Sequence, residues 1–147
     1  MIDKLLQMDL ESLKLGLLSS NKFWNKKLII FNTASLCGFT KQLSDFQKIF
    51  IDGLAVPIAI PTNDFGKQEP GDDYEILQFA KKTYGVTFPI CKKTDINHKF
   101  FKTFGQPDWN FNKYLFTNLL GCFLDIPPGE IELTLIFGAT KVESILV

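Results

Sequence analysis

Three cysteines and a single histidine bound the chemistry open to this chain. Cys37, Cys91 and Cys122 make neither a Cys-x-x-Cys pair nor a zinc-ligand spacing, and an odd count in a reducing compartment points to thiols and away from a disulfide framework. His98 stands alone, which excludes a cluster of histidine ligands and would force any Ser-His-Asp or Cys-His nucleophile through that one residue. Thiol chemistry remains, and Cys37 is the best placed to do it. It lies in Ala34-Ser35-Leu36-Cys37-Gly38-Phe39-Thr40, between an apolar run and a helical pattern. Unpaired backbone N–H groups and a helix dipole at such a place favour the thiolate, the reactive form of the side chain. On position alone the plainer role, a small packed hydrophobe, is favoured by roughly two to one.

The elements that must hold this loop alternate along the chain. Lys27 to Thr33 is a compact apolar run that reads as a central strand buried on both faces, and Leu43, Phe46, Ile49 and Phe50 then recur at helical spacing. Leu54 to Ile60, closed by Pro61, is a second strand. The polar loop 62–71 separates it from a helix over Tyr74 to Lys82 whose buried stripe is Ile76, Leu77 and Ala80. A helical turn near His98 to Phe104 and an extended Tyr114-Leu115-Phe116 follow. Asp125 to Gly129 is turn chemistry, Ile131 to Phe137 a late strand and Thr140 to Leu146 a closing helix. Ahead of all this, Leu5, Leu6, Leu10, Leu13 and Leu17 suit a short amphipathic helix or an irregular opening. The pattern predicts one α/β domain over residues 1–147, with helices on both faces of a mixed sheet.

Composition narrows the function classes. Sixteen basic and sixteen acidic residues cancel and are interspersed, so the electrostatic footprint of a nucleic-acid binder is missing. No apolar run approaches the roughly 20 residues of a membrane span, and Met1-Ile2-Asp3-Lys4 does not open a secretory signal, so the expected address is the cytoplasm. Fifteen phenylalanines predict a core packed largely with aromatic rings.

Several stretches resemble one family. Asn32-Thr33-Ala34-Ser35-Leu36-Cys37-Gly38-Phe39-Thr40 resembles the loop that carries the peroxidatic cysteine or selenocysteine of glutathione peroxidases. Pro61-Thr62-Asn63-Asp64-Phe65-Gly66-Lys67-Gln68-Glu69-Pro70-Gly71 is similar to the family's Phe-Pro-Cys-Asn-Gln-Phe-Gly-x-Gln-Glu loop and departs from it at Thr62 and Asp64. Trp109-Asn110-Phe111-Asn112-Lys113-Tyr114-Leu115 resembles the Trp-Asn-Phe-x-Lys-Phe-Leu segment, and Tyr84-Gly85-Val86-Thr87-Phe88-Pro89 also matches, so the similarity runs from about Asn21 to Val147.

The resemblance implies a thioredoxin-like fold, a central mixed β-sheet flanked by helices, and a catalytic tetrad of Cys37, Gln68, Trp109 and Asn110. Neutral amides and an indole N–H are donors that can steady a thiolate without charging themselves. Taken singly, Gln68 is an exposed loop residue, Trp109 a core ring and Asn110 a turn former; only their joint occurrence favours function. The expected activity is reduction of hydrogen peroxide and organic or lipid hydroperoxides through a sulfenic acid on Cys37, with no bound cofactor or metal. The runner-up is a thioredoxin-fold redox sensor or binding module that has lost turnover.

Thioredoxins place a second cysteine where Cys37-Gly38-Phe39-Thr40 has Thr40, which removes dithiol exchange within the motif. The resolving cysteine of many non-animal relatives aligns with Lys81 and is missing. An outside thiol, glutathione or thioredoxin, is therefore the expected reductant, with Cys91 or Cys122 as substitutes from unusual positions. The short linker between His98 and Trp109 lacks the loop that helps tetrameric animal members assemble, so a monomer is expected. Phe39, Phe65 and Phe111 are the expected apolar rim for bulky hydroperoxides.

Overall fold

Side-chain alternation along β3 (Leu28–Thr33) divides the interior into two layers. Successive strand residues point to opposite faces of a sheet. Ile29 and Phe31 enter one apolar cluster and Leu28 and Ile30 the other. All six β3 residues are buried, as the apolar run predicts. β3 lies inside a four-stranded mixed sheet of order β4-β3-β5-β6, parallel to β4 (Val56–Pro61) and antiparallel to β5 (Lys113–Phe116), with β6 (Phe123–Ile126) outside β5. The computed structural model describes residues 10–18, 23, 26–116, 123–126 and 128.

One face of the sheet is covered by α1 (Gln42–Ile51) and α2 (Asp73–Tyr84) through Leu43, Phe46, Ile49, Ile76 and Ala80. Phe31 stacks on Phe46 with ring centroids 3.9 Å apart, and its ring centroid is 5.8 Å from that of Phe111. The opposite face carries α3 (Lys99–Phe104), where Phe100 meets Tyr114 edge-on at 5.0 Å. The aromatic core expected from composition is present on both faces, and helices cover both, as the alternation of elements predicts.

Local chemistry explains the element ends. α2 starts on a capping box in which Asp72 accepts from Glu75 N and Glu75 accepts from Asp72 N, and it ends at Gly85 in the left-handed region. Two prolines lie in β4 without breaking its pairing with β3. Val56 N and Thr62 N donate toward β3, to Lys27 O and Thr33 O, whereas Ala59 N donates the other way, to Pro89 O. Pro57 and Pro61 share the parity of Ala59, so their missing N–H groups fall outside the ladder with β3.

Two expectations need correcting. Residues 10–18, the described part of the leucine-spaced opening, form a hairpin in place of the helix or irregular opening expected: β1 (Glu11–Ser12) pairs antiparallel with β2 (Gly16–Leu17), with Gly16 at φ 70°, while Leu5 and Leu6 lie outside the described residues. The backbone of this segment finds partners elsewhere in the fold, Leu13 N on Ile90 O and Lys92 N on Glu11 O, and those contacts override the leucine spacing. Asp125 and Ile126, expected in a turn, belong to β6 opposite Tyr114 and Lys113, where the ladder overrides turn propensity. The late strand over Ile131 to Phe137, the closing helix over Thr140 to Leu146 and Cys122 lie outside the described residues.

Candidate active site

Cys37 lies in the loop between β3 and α1, half-buried, and the residues around it spend their polar groups on shaping that loop. Thr40 Oγ1 donates to Ala34 O at 2.7 Å and accepts from Cys37 N at 3.1 Å. Phe39 N donates to Cys37 Sγ at 3.3 Å. The chain then winds into α1 through a run of three-residue turns, with Thr40 N on Cys37 O and Gln42 N on Phe39 O. α1 has no side-chain cap at its N-cap residue, Lys41.

The loop is clamped to the segment after β4. Ser35 N and Leu36 N both donate to Gln68 O, at 3.1 and 3.0 Å. Gln68 Oε1 accepts from Asn110 Nδ2 at 2.9 Å, and the same nitrogen donates to Phe65 O at 3.2 Å. Two acceptors on one amide nitrogen fix which way the Asn110 amide faces. Asn110 is fully buried and both its amide hydrogens are used, which leaves the Gln68 amide nitrogen as the donor of the pair. Trp109 is 37% exposed and its ring meets Phe65 edge-on at 5.8 Å. Gly66, with φ 67°, sits under both: a Cβ there would lie 3.0 Å from Trp109 Cη2 and 3.4 Å from Gln68 Cδ. The fold thus brings Gln68 and Trp109 together over Gly66, bonds Asn110 to Gln68, and ties the Cys37 loop to the backbone of Gln68.

Four residues outside the expected tetrad hold this arrangement. Asn32, buried in β3, donates to Trp109 O at 2.8 Å and accepts from Asn112 N at 2.9 Å, while its own carbonyl accepts from Phe111 N at 2.7 Å. One side chain in the central strand therefore sets the whole turn 109–112. Lys113 Nζ donates to Phe111 O at 2.7 Å, and burial brings its ammonium down to about 8. Thr40 shapes the Cys37 loop, as above. Glu69 is fully buried and accepts from both Ser35 N and Ser35 Oγ. Burial pushes its carboxyl up to about 7, with the Ser35 bonds and the charge of Lys93 drawing it partly back. All four lie inside the motifs quoted above, and Asn32 is also a polar residue in an otherwise apolar run, but the bonds they make across the fold are not readable from those motifs. Lys67 and Phe111, which flank Gln68 and Asn110, both adopt positive φ, at 53° and 66°. Strain of this kind costs roughly 1–2 kcal/mol per residue and persists where surrounding structure imposes it.

Phe111, expected in an apolar rim, is instead fully buried against Phe31. Phe39 and Phe65 are half-buried, and Leu36, directly before Cys37, is 64% exposed. Cys91 is buried in the cluster on the opposite face of the sheet from the one Cys37 packs against. Burial pushes the Cys91 thiol up to about 12. Among the described residues no group of three or more His, Cys, Asp or Glu could hold a metal ion, and no helix is long and apolar enough to cross a membrane.

Comparison with known proteins gives this site a family context. The glutathione peroxidase family model matches residues 5–105. The match begins ahead of Asn21 and includes Cys37 and Gln68, but stops before Trp109 and Asn110, so the similarity expected through to Val147 is not covered by it. Glutathione peroxidase-like peroxiredoxin 2 of Saccharomyces cerevisiae is 41% identical over 107 residues, which cover 61% of this chain and 66% of the yeast protein. That is just under two thirds of the relative's own length. Hydroperoxy fatty acid reductase gpx1 of Synechocystis is 39% identical over 115 residues, covering 63% of this chain and 68% of that protein. Among solved structures, a secreted disulfide oxidoreductase of Mycobacterium tuberculosis homologous to E. coli DsbE superposes with a TM-score of 0.66 over 97% of this chain and 98% of its own, at 13% identity. That likeness concerns the fold alone, which is thioredoxin-like α/β.

Proposed function

The chain belongs to the glutathione peroxidase family, and from that premise we propose that it is a thiol peroxidase in which Cys37 attacks hydroperoxides. The observation that carries the reading is the clamp that ties the Cys37 loop to Gln68 O while Asn110 holds Gln68 Oε1 at 2.9 Å. Asn110 orients Gln68, and the Gln68 amide nitrogen and the Trp109 indole N–H are the neutral donors for charge developing at the sulfur and the departing oxygen.

The Cys37 thiolate attacks the terminal peroxide oxygen. An S–O bond forms as the O–O bond breaks, leaving a sulfenic acid on the enzyme and an alkoxide that takes a proton to become the alcohol. A first outside thiol attacks the sulfenic sulfur and releases water. A second attacks the mixed disulfide, returns the Cys37 thiol and leaves as the oxidised thiol pair. An outside reductant is favoured because Cys91 lies across the sheet from Cys37, buried and with its thiol held protonated. Glutathione or thioredoxin supplies it.

Substrate breadth extends to hydroperoxides with apolar chains. The exposed Leu36 beside Cys37 and the part-exposed Trp109 ring offer apolar surface at the site, and the Synechocystis relative is named for reducing hydroperoxy fatty acids. The test is peroxide consumption by the purified protein with glutathione or a thioredoxin system as sole reductant, alongside Cys37→Ser. Turnover that the substitution abolishes is expected. Turnover that survives it removes Cys37 from the mechanism, and absence of turnover with both reductants leaves the redox sensor.

A further inference from the structure

Among the described residues Glu69 is the one fully buried carboxylate bound to the Cys37 loop, and the chemistry above makes no use of it. Its Oε1 accepts from Ser35 N at 3.0 Å and from the Ser35 hydroxyl, two residues ahead of the reacting thiol. Its own N–H is held by Asn63 Oδ1 at 2.8 Å, so the side chain leaves a fixed point in the loop after β4. Oε2 is buried with no hydrogen-bond partner, and a group held in that way responds to a change of its own charge by changing the bonds made through Oε1.

We propose that Glu69 is a positioning residue for Cys37: its ionised carboxylate fixes Ser35 and with it the main chain that presents the thiol, and protonation loosens that hold. The inference rests on Cys37 being the reacting thiol. Bonds to a carboxylate are about twice as strong as bonds to a neutral acceptor, so the same geometry holds Ser35 firmly in one charge state and weakly in the other. The groups facing Glu69 are few. From the Cys37 loop comes Ser35, which carries no charge; from its own loop come Asn63 and the Gln68 carbonyl; from the 92–95 segment comes Lys93. Lys93 is itself fixed, with Nζ on Gly71 O at 2.9 Å and its backbone N on Asp73 Oδ1 at 2.8 Å. The other buried ionisable group of the site, Lys113, donates to Phe111 O and titrates higher, near 8.

The test follows Cys37 alkylation by iodoacetamide against pH, read by mass spectrometry of the Cys37 peptide, in wild type, Glu69→Gln and Ser35→Ala, each checked for the wild-type circular dichroism spectrum. In wild type the rate carries, beside the ionisation of the thiol itself, an inflection near 7 of about threefold. Glu69→Gln removes that inflection. Ser35→Ala moves it to higher pH, because the hydroxyl that favours the carboxylate is gone, and this variant carries the test alone if Glu69→Gln does not fold. Alkylation needs no peroxide, so a protein without peroxidase turnover that keeps the inflection refutes only the peroxidase reading. Three superposable profiles, or a Glu69→Gln protein slowed equally at every pH, overturn the assignment.

Discussion

Replacing Asn32 by alanine tests whether one buried amide in the central strand positions the turn that carries Trp109 and Asn110. The side chain makes two hydrogen bonds, to Trp109 O at 2.8 Å and from Asn112 N at 2.9 Å, in a setting with no exposure to water. Truncation leaves a backbone carbonyl and a buried N–H each without that partner, at about 1–3 kcal/mol apiece, so the expected loss of stability is about 2–6 kcal/mol. A domain of this size has about 5–15 kcal/mol to lose, so most of the population stays folded in the cold. Urea unfolding should show a lower midpoint at unchanged slope. At a temperature where both proteins are folded, peroxide-driven oxidation of Cys37 should slow by about tenfold, equivalent to about 1.4 kcal/mol of barrier. Gln47→Ala is the control. It removes a similar reciprocal pair, with Thr87 Oγ1 at 2.7 Å and Thr87 N at 2.8 Å, but Thr87 is exposed and can turn to water. That variant should lose less stability and oxidise at the wild-type rate. The reasoning fails if Asn32→Ala costs under about 1 kcal/mol, or if it oxidises as fast as wild type while folded.

Other perturbations probe the same framework. Gly66→Ala combines a positive φ with a Cβ 3.0 Å from Trp109 Cη2 and 3.2 Å from Cζ2; it should cost about 1–2 kcal/mol, shift Trp fluorescence and slow Cys37 oxidation, and an unchanged spectrum with full activity would contradict the packing. Cys91, buried and pushed up to about 12, should resist iodoacetamide at pH 8 in the native protein and react fully in urea. Glu69 should leave a mark on stability. Its native pKa of about 7 lies above its ordinary value of 4.5, so the native state binds more protons in that window and stability falls as pH rises from about 4.5 to 7, by up to about 3 kcal/mol. Urea titrations of wild type and Glu69→Gln across pH 5 to 8 should therefore diverge in that direction, and parallel curves would sink the argument.

Patterns with a period were readable from the sequence, and partnerships at a distance were not. The run Leu28 to Thr33 reads as a strand buried on both faces and the spacing of Leu43, Phe46 and Ile49 as the inner stripe of a helix, and both elements are present. Leu10, Leu13 and Leu17 fit a helix as well as a hairpin, and what decides between them is pairing with residues 90–92, some 80 positions away. The same limit applies to the site. Gln68, Trp109 and Asn110 were named together, yet that Asn110 is committed to Gln68 and Phe65 O, and that Phe111 turns inward at positive φ, depend on contacts made across the fold. Glu69 reads as a surface charge until burial under the Ser35 loop is seen.

The site is a chain of neutral amides laid across three separated pieces of sequence. Asn32 of the central strand grips the 109–112 turn, Asn110 of that turn grips Gln68, and the Gln68 carbonyl grips the two residues before Cys37. None of these groups changes charge between pH 4 and 10, so the geometry they impose is insensitive to pH. Neutral donors hold that geometry without titrating and bring no charge that needs a counter-charge. Whatever pH response the loop has must then enter through the ionisable groups that touch it or its supports: the thiol itself, Lys113 against Phe111 O, and Glu69 against Ser35. Lys113 acts on the far side of the 109–112 turn, whereas Glu69 bonds directly to the loop that bears the sulfur. Of the two buried groups, Glu69 is therefore the one whose protonation reaches Cys37 by the shorter path.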